Sequence, residues 1–229
     1  MDTAIQNCTV YCIPGLGVNK QLFKNLQLPR FNISFIDWIT PVKNETLPAY
    51  AMRLAQQIDT SKPFVLLGVS FGGMCAIEIT KQLYPLKTIL ISSSKTKKET
   101  PSRLRILSFL PLHYLISDSL YLKGAWILRR LWGVHAGIEQ EFKASLTPPP
   151  ENFFARAVNM IVHWENETIV ANVIHIHGTS DRVLPYKKSV VYDYTIEKGS
   201  HLMVLDRGEE ISRISTSSLH SLHPSIHTE

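Results

Sequence analysis

The sequence contains few cysteines, few charged residues and no long apolar run, and each shortage excludes a class of protein. Cysteine occurs only at positions 8, 12 and 75 of the 229 residues, so a fully paired disulfide framework is impossible and buried thiols in a reducing compartment are expected. Charged residues make up 19% and hydrophobic residues 45% of the chain, which argues against intrinsic disorder. No stretch reaches the roughly 18 uncharged apolar residues of a membrane-spanning helix, so no membrane span is expected.

Targeting and cofactor motifs are also missing. The N-terminal residues lack the basic start and apolar stretch of a secretory signal peptide, so we expect a cytoplasmic protein. Neither a phosphate-binding Walker loop nor a dinucleotide fingerprint occurs, and no cofactor is therefore expected. The formal charge of +5 and the pI of about 9.1 do not by themselves indicate nucleic acid binding. The sequence leaves the oligomeric state open.

Short apolar runs alternate with longer helical patterns along the first ninety residues and again after residue 170. The runs are rich in β-branched residues and apolar on both faces, a pattern typical of strands buried in a parallel sheet. The repeated order of strand, helix and strand predicts a doubly wound, mostly parallel α/β sheet. The predicted strands cover residues 8–13, 32–37, 64–69, 88–92, 173–177 and 189–195, and helices between and after them cover about 19–28, 47–59, 71–83 and 202–218.

The alternation is interrupted over residues 94–165, where no clear strand occurs. A helical block between two strands of one sheet is typical of a lid or cap. We therefore expect residues 1–229 to form one domain with a helical cap insertion at about 94–165. Amphipathic patterns separated by proline and glycine predict cap helices at about 101–112, 117–132, 137–146 and 150–164.

The segment Gly68-Val69-Ser70-Phe71-Gly72 lies where a buried strand meets a helix. Gly-x-Ser-x-Gly is a short pattern with many chance matches, and an ordinary glycine-rich turn is the alternative interpretation. Its context favours function, because the glycines allow a tight turn that presents the serine above the edge of the sheet. Ser70 is therefore the candidate nucleophile.

A serine hydroxyl needs a base, and the base needs an orienting acid. Asp181 lies in the loop after the strand at 173–177, at the carboxyl end where functional groups collect in open α/β sheets. His201 follows the last predicted strand, so serine, acid and histidine occur in the order that accompanies a Gly-x-Ser-x-Gly turn. Three other acidic residues near His201 remain alternatives, although none shares that loop: Asp193, Glu197 and Asp206.

The segment Pro14-Gly15-Leu16-Gly17 follows the first strand. An oxyanion that develops during acyl transfer needs two preorganised N–H donors. The amides of Leu16, in this loop, and of Phe71, at the start of a helix, are the natural pair. A plain turn is the alternative interpretation of the loop.

His175 and His177 alternate along one predicted strand and would share one face, as a pair of metal ligands does. No Asp, Glu or Cys at ligand spacing accompanies them. A structural role is therefore predicted for this pair, and no metal is expected.

Together these motifs resemble the α/β-hydrolase fold superfamily, over about residues 1–93 and 170–220. The resemblance implies that Ser70 is the nucleophile, Asp181 the acid and His201 the base. It further implies that the amides of Leu16 and Phe71 form the oxyanion hole.

The chain departs from the superfamily pattern in two places. It has Pro14-Gly15 where many members carry His-Gly in the oxyanion loop. It also begins near the third strand of the superfamily's sheet, so a shortened N-terminus without the first two antiparallel strands is expected.

The resemblance implies a serine hydrolase that cleaves a carboxylic ester or thioester of a small-molecule acyl substrate through an acyl-enzyme. The fold hosts other chemistry as well, so two alternatives stay open. One is a lyase or synthase-type enzyme acting on a small carbonyl substrate, and the other is a non-catalytic protein that binds a ligand in the same pocket.

Basic residues are concentrated in and beside the cap. Between residues 81 and 132, ten Lys and Arg residues stand against two acidic residues, a formal charge of +8, whereas the rest of the chain carries −3. Lid helices that pack their apolar faces on the sheet domain are one interpretation of this segment. An anionic or carrier-bound acyl substrate, acidic lipid and a partner protein are the others.

Overall fold

A computed structural model describes residues 8–102, 108–109 and 112–220 of the chain, without the side chain at position 220. Its centre is a six-stranded sheet with the strand order β2-β1-β3-β4-β5-β6, in which every neighbouring pair is parallel. The strands are β1 Thr9–Ile13, β2 Asn32–Phe35, β3 Phe64–Val69, β4 Lys87–Ile91, β5 Val173–Gly178 and β6 Tyr194–Ile196. The predicted doubly wound α/β sheet is confirmed.

The order of the strands reverses between β1 and β3, because β2 lies on one side of β1 and the later strands lie on the other. Loops that leave the carboxyl ends of two strands at such a point diverge and open a crevice. The loop after β1 and the turn after β3 therefore meet at this place, and both contain candidate site residues.

Apolar side chains cover both faces of the sheet. Val10 and Cys12 of β1 face one core, whereas Tyr11 and Ile13 face the other, as the two-residue period of a strand requires. All six residues of β3 are buried, which explains why this strand is a continuous apolar run in the sequence. The flanking helices are α1 Leu47–Leu54, α2 Phe71–Leu83, α6 Met203–Asp206 and α7 Gly208–His220.

The cap segment, residues 94–165, contains α3 Asp118–Ile127, α4 Glu139–Ser145 and α5 Phe153–Val162, with short 3-10 turns at Leu112–Leu115, Arg129–Trp132 and Ala136–Ile138. Its later part is joined to the loop after β1. Val18 forms an isolated antiparallel bridge with Leu146, and the Asn19 amide donates to the Ser145 carbonyl at 2.9 Å. The helix predicted at 101–112 includes residues 103–107 and 110–111, which lie outside the described residues.

Two elements of the sheet domain are shorter than predicted. The helix predicted at 19–28 is a single 3-10 turn, Lys20–Phe23. Pro29 disfavours helical backbone at Leu28, the last residue of the predicted range. The strand predicted at 189–195 is limited to Tyr194–Ile196. The preceding residues form a loop in which Val191 is exposed and the Tyr192 ring packs on His175 and His177.

The last predicted helix, 202–218, is two helices with a break at Arg207. Gly208 passes close to the Asn25 carbonyl, where a side chain at that position would collide with the backbone. The second helix extends to His220, beyond the predicted end at 218, and Leu219 is fully buried.

The helix predicted at 47–59 also divides, into α1 and a 3-10 turn at Ala55–Gln57. No helix within the described ranges combines the length and apolar character that crossing a bilayer requires. The three cysteines are all buried and free.

Candidate active site

Ser70 occupies a sharp turn between β3 and α2. Its backbone has φ 52° and ψ −119°, a positive-φ conformation that is strained for a residue with a side chain. The glycines on either side allow the turn to close. A Cβ at Gly68 would lie 2.5 Å from the Gly72 carbonyl oxygen, and one at Gly72 would collide with the Pro14 carbonyl. The motif predicted from sequence is therefore required by backbone packing.

Hydrogen bonds hold this turn in place. The Ser70 amide donates to the Ile91 carbonyl of β4 at 3.0 Å, and the Ser70 carbonyl accepts from the amide of Gly73 at 2.9 Å. The Ser93 hydroxyl donates to the same Ser70 carbonyl at 2.7 Å. The sequence analysis missed Ser93, whose signal is its place just after β4, at the same carboxyl edge of the sheet as Ser70.

The three residues predicted for the site lie in contact. The Nε2 atom of His201 is 3.0 Å from the Ser70 hydroxyl oxygen, and its Nδ1 is 2.8 Å from Oδ2 of Asp181. Asp181 follows β5 and His201 follows β6, so three loops at one edge of the sheet bring together residues separated by up to 131 positions. Asp181 and His201 are 4% and 5% exposed, which shields their interaction from water.

Backbone donors hold the Asp181 carboxylate. Its Oδ1 accepts hydrogen bonds from the amides of Val183 at 2.8 Å and Leu184 at 2.9 Å, which leaves Oδ2 directed at His201. Burial raises the pKa of the Asp181 carboxyl. The neighbouring His201, through its charge and its hydrogen bond, together with His177 and the Leu184 amide, outweighs burial and lowers that pKa below its usual value. Asp181 is therefore ionised at neutral pH.

The alternative acids lie elsewhere. The Asp193 carboxylate accepts from the His175 amide at 2.8 Å, and Asp206 lies 3.4 Å from Nε2 of His135. Glu197 is exposed. Of the four acidic residues considered, Asp181 alone has a described hydrogen bond to His201.

The loop after β1 lies beside Ser70. A Cβ built on Gly15 would be 3.6 Å from the Ser70 Cβ, so Leu16 is next to the serine. Phe71 is the first residue of α2, where the backbone N–H has no acceptor within the helix. In the described part of the chain, no hydrogen bond is formed by the amide of either Leu16 or Phe71. Both amides therefore lack an acceptor among the described residues, and their role toward an oxyanion stays a prediction.

Tyr121 of the cap helix α3 contacts this loop. Its hydroxyl donates to the Leu16 carbonyl at 2.9 Å. The backbone at Gly17 has φ 74°, and a Cβ there would collide with the Tyr121 ring. Nothing in the sequence marked this contact, because it joins residues 105 positions apart.

An apolar cavity of about 250 Å³ opens beside Ser70 and His201. The sheet domain contributes Leu16, Phe71 and Met74, and the cap contributes Tyr121, Trp132 and Val158, among others. No described residue of the lining is Lys, Arg, Asp or Glu. The site therefore offers one polar end, with a serine and a histidine, and an apolar remainder.

His175 and His177 lie behind Asp181, on one face of β5 as predicted. The Nε2 of His177 donates to the Leu184 carbonyl at 2.8 Å, and its Nδ1 lies 3.4 Å from Nε2 of His175. Burial lowers the pKa of both imidazoles, so both rings are neutral at pH 7. In residues 8–102, 108–109 and 112–220 no group of three or more potential metal ligands occurs.

Comparison with known proteins identifies the family. The model of the alpha/beta hydrolase family matches residues 7–214. The chain belongs to this family. A search of curated protein sequences found no match.

Solved structures share the hydrolase fold across nearly the whole chain. A thermophilic esterase from Thermogutta terrifontis is 14% identical with a TM-score of 0.70, and the match covers 95% of this chain and 91% of the esterase. MenH from S. aureus is 13% identical with a TM-score of 0.69, and covers 96% of both chains. A hydrolase from Pseudomonas aeruginosa PA01 is 14% identical with a TM-score of 0.70, and the match covers 95% of this chain and 92% of that hydrolase. Identities this low support the fold alone.

Proposed function

We propose that this protein is a serine hydrolase that cleaves a carboxylic ester or thioester with an apolar acyl group. The observation that carries the proposal is the continuous contact from Ser70 through His201 to Asp181, at 3.0 and 2.8 Å, with the serine facing an apolar cavity. Ser70 is the nucleophile in this proposal, His201 the general base and Asp181 the residue that orients it.

The reaction proceeds in two halves. His201 Nε2 accepts the proton of the Ser70 hydroxyl as its oxygen attacks the acyl carbonyl, and the amides of Leu16 and Phe71 donate hydrogen bonds to the resulting oxyanion. His201 then gives the proton to the leaving oxygen or sulfur, and the C–O or C–S bond of the substrate breaks to leave an acyl-enzyme. Water, deprotonated by His201, releases the acid and restores the serine.

The cavity favours an uncharged acyl group. A carboxylate buried against Val158, Met74 and Trp132 would lose its hydration without gaining a cationic partner among the described lining residues. If the substrate is anionic or carrier-bound, as one interpretation of the basic segment has it, the charge belongs to the leaving group, which stays outside the cavity. We further propose that the chain acts as one catalytic domain whose cap segment supplies the wall of the acyl pocket.

The test is hydrolysis of p-nitrophenyl esters of graded chain length and of the matching acyl thioesters. We expect Ser70→Ala to reduce kcat/KM by at least roughly 10³-fold, because the nucleophile is lost. Ser217→Ala, at an exposed serine of α7, is the matched control and should retain full activity. A fluorophosphonate probe should label Ser70 in the wild type and in Ser217→Ala.

Three outcomes would contradict the proposal. They are full activity of Ser70→Ala, labelling at another residue, and turnover of a carbonyl substrate with no acyl-enzyme detectable by mass spectrometry after rapid quenching. The last of these would favour the lyase or synthase-type alternative. Tight binding of a ligand with no turnover of any ester or thioester would favour the non-catalytic alternative.

A further inference from the structure

Exposed apolar side chains are concentrated in one part of the cap. Among the described residues, fifteen large hydrophobic side chains are exposed, and eight of them lie between positions 109 and 131. Single exposed apolar residues are ordinary, but a concentration of them in one segment indicates an interaction surface. The eight residues are Phe109, Leu112, Tyr114, Leu115, Leu120, Ile127, Leu128 and Leu131.

Helix α3 shows how this surface is built. Leu120, Lys123 and Ile127 are spaced by three and four residues, so they share the exposed side of the helix. Ala125 is buried on the other side, and Tyr121 lines the acyl cavity. The same helix therefore lines the cavity with one residue and exposes two apolar side chains, Leu120 and Ile127, on its outer side. Ile127 is 70% exposed.

Basic residues accompany the apolar ones. Lys123 and Arg130 are exposed, and neither forms a salt bridge within the described part of the chain. The surrounding segment, residues 81–132, has a formal charge of +8. Apolar side chains interleaved with cations are the features by which a helix lies in the interface of an anionic bilayer.

The charge argues against other occupants. A second copy docked on the same surface would bring the exposed Lys123 and Arg130 of two chains together, at an electrostatic cost. An acidic protein partner would use the cations, but it would have to cover many long aliphatic side chains. Acyl chains of lipids can cover these side chains at little cost. Removing apolar surface from water is favourable by about 25 cal/mol for each Å².

We propose that the cap surface, defined by Leu115, Leu120, Lys123, Ile127 and Arg130, binds the surface of an anionic lipid bilayer. In the bound state, α3 would lie between the bilayer and the acyl cavity. Lipid-dissolved esters would then reach Ser70 by a short path. This last step rests on the proposed function, whereas bilayer binding itself does not.

The test is co-sedimentation of the full chain with vesicles of phosphatidylglycerol and phosphatidylcholine at low salt. We expect binding to these vesicles, weaker binding at 0.5 M salt (on the order of 3- to 10-fold) because exposed charges are screened, and little binding to pure phosphatidylcholine. The double variant Leu120→Glu/Ile127→Glu should bind at least about 10-fold less, because charged groups replace the apolar contact. Val191→Glu, at a 77% exposed position that is not part of the cap surface, is the matched control and should bind normally.

Hydrolysis of a water-soluble short-chain ester serves as the folding control, and the double variant should hydrolyse it at the wild-type rate. The proposal is overturned if the wild type does not bind anionic vesicles, or if the double variant binds them as well as Val191→Glu does. It is also overturned if the wild type is a dimer that the double variant dissociates. Ser70→Ala should bind vesicles like the wild type, so an inactive protein that binds vesicles would contradict the proposed function alone.

Discussion

The carboxyl edge of the sheet and the cap segment differ in what surrounds their side chains. At the sheet edge, Asp181 and His201 are almost fully buried and hydrogen bonded. In the cap, Leu115 and Ile127 are 79% and 70% exposed. The sheet edge has few alternative arrangements, because the hydrogen bonds that join Ser70, His201 and Asp181 would be lost on movement. The cap surface has no such constraint.

This difference indicates a division of roles between the two regions. The sheet holds the groups that would perform bond cleavage, and it does so through backbone turns that tolerate little change. The cap supplies apolar walls and an outer surface, and its Tyr121 donates to the Leu16 carbonyl. No described cap residue forms a hydrogen bond with the side chain of Ser70, His201 or Asp181. Substitutions in the two regions should therefore affect different kinetic parameters.

The largest effect is expected at the sheet edge. Asp181→Asn should lower kcat by about 10³-fold or more for every substrate, because the amide cannot hold His201 in the tautomer and charge state that the reaction needs. The measurement is steady-state hydrolysis of short and long p-nitrophenyl esters. Asp206→Asn, which changes an acid that contacts His135, is the control and should alter kcat less than 3-fold. Equal losses of kcat in the two variants would contradict the role proposed for Asp181.

An intermediate effect is expected where the two regions touch. Tyr121→Phe removes the hydroxyl that donates to the Leu16 carbonyl and keeps the ring against the cavity. A hydrogen bond contributes about 1 kcal/mol, so kcat should fall roughly 5- to 10-fold while KM changes little. Tyr114→Phe, at an exposed cap position, should leave kcat unchanged. A rise in KM with constant kcat would show that Tyr121 serves binding rather than positioning of the loop.

The smallest effect on kcat is expected at His175, where the change should appear in stability instead. Burial, then the charges of His177 and Lys95, lowers the pKa of His175 well below its usual value. The unfolded chain takes up a proton on this residue below about pH 6.5, whereas the folded chain does not. Stability therefore falls as the pH decreases below that value, by up to about 1.4 kcal/mol per pH unit for one proton.

His175→Phe should reduce the slope of the unfolding free energy against pH, because the unfolded chain then binds one proton fewer in this range. The Phe ring can keep the packing against Tyr192 and His177, although Glu99, whose Oε2 lies 3.9 Å from the His175 Nδ1, loses its neighbour. The measurement is urea unfolding at pH 7, 6 and 5, with His163→Phe at an exposed histidine as the control. An unchanged slope in His175→Phe would mean that the native protein protonates His175 in this range.

Local patterns were sufficient where one short segment determines the outcome. The run at 64–69 predicted β3 with its observed bounds, since a strand buried on both faces must be apolar throughout. Ser70 was found because a strained turn needs glycine at positions 68 and 72. Prediction was wrong at residues 189–195, where Tyr192 packs on two histidines instead of continuing a strand. That contact depends on β5 and is invisible in the segment itself.

The sequence by itself determined the class of sheet, the serine turn and the order of the three site residues. These follow from hydrophobic periodicity and from the steric demands of glycine, which act over a few neighbouring residues. Only the tertiary structure decided which acid contacts His201, that Tyr121 supports the Leu16 loop, and that the cap has an apolar wall inside and an apolar, basic surface outside. Those features depend on distances between residues more than a hundred positions apart in some cases, and such distances are set by how the helices pack on the sheet.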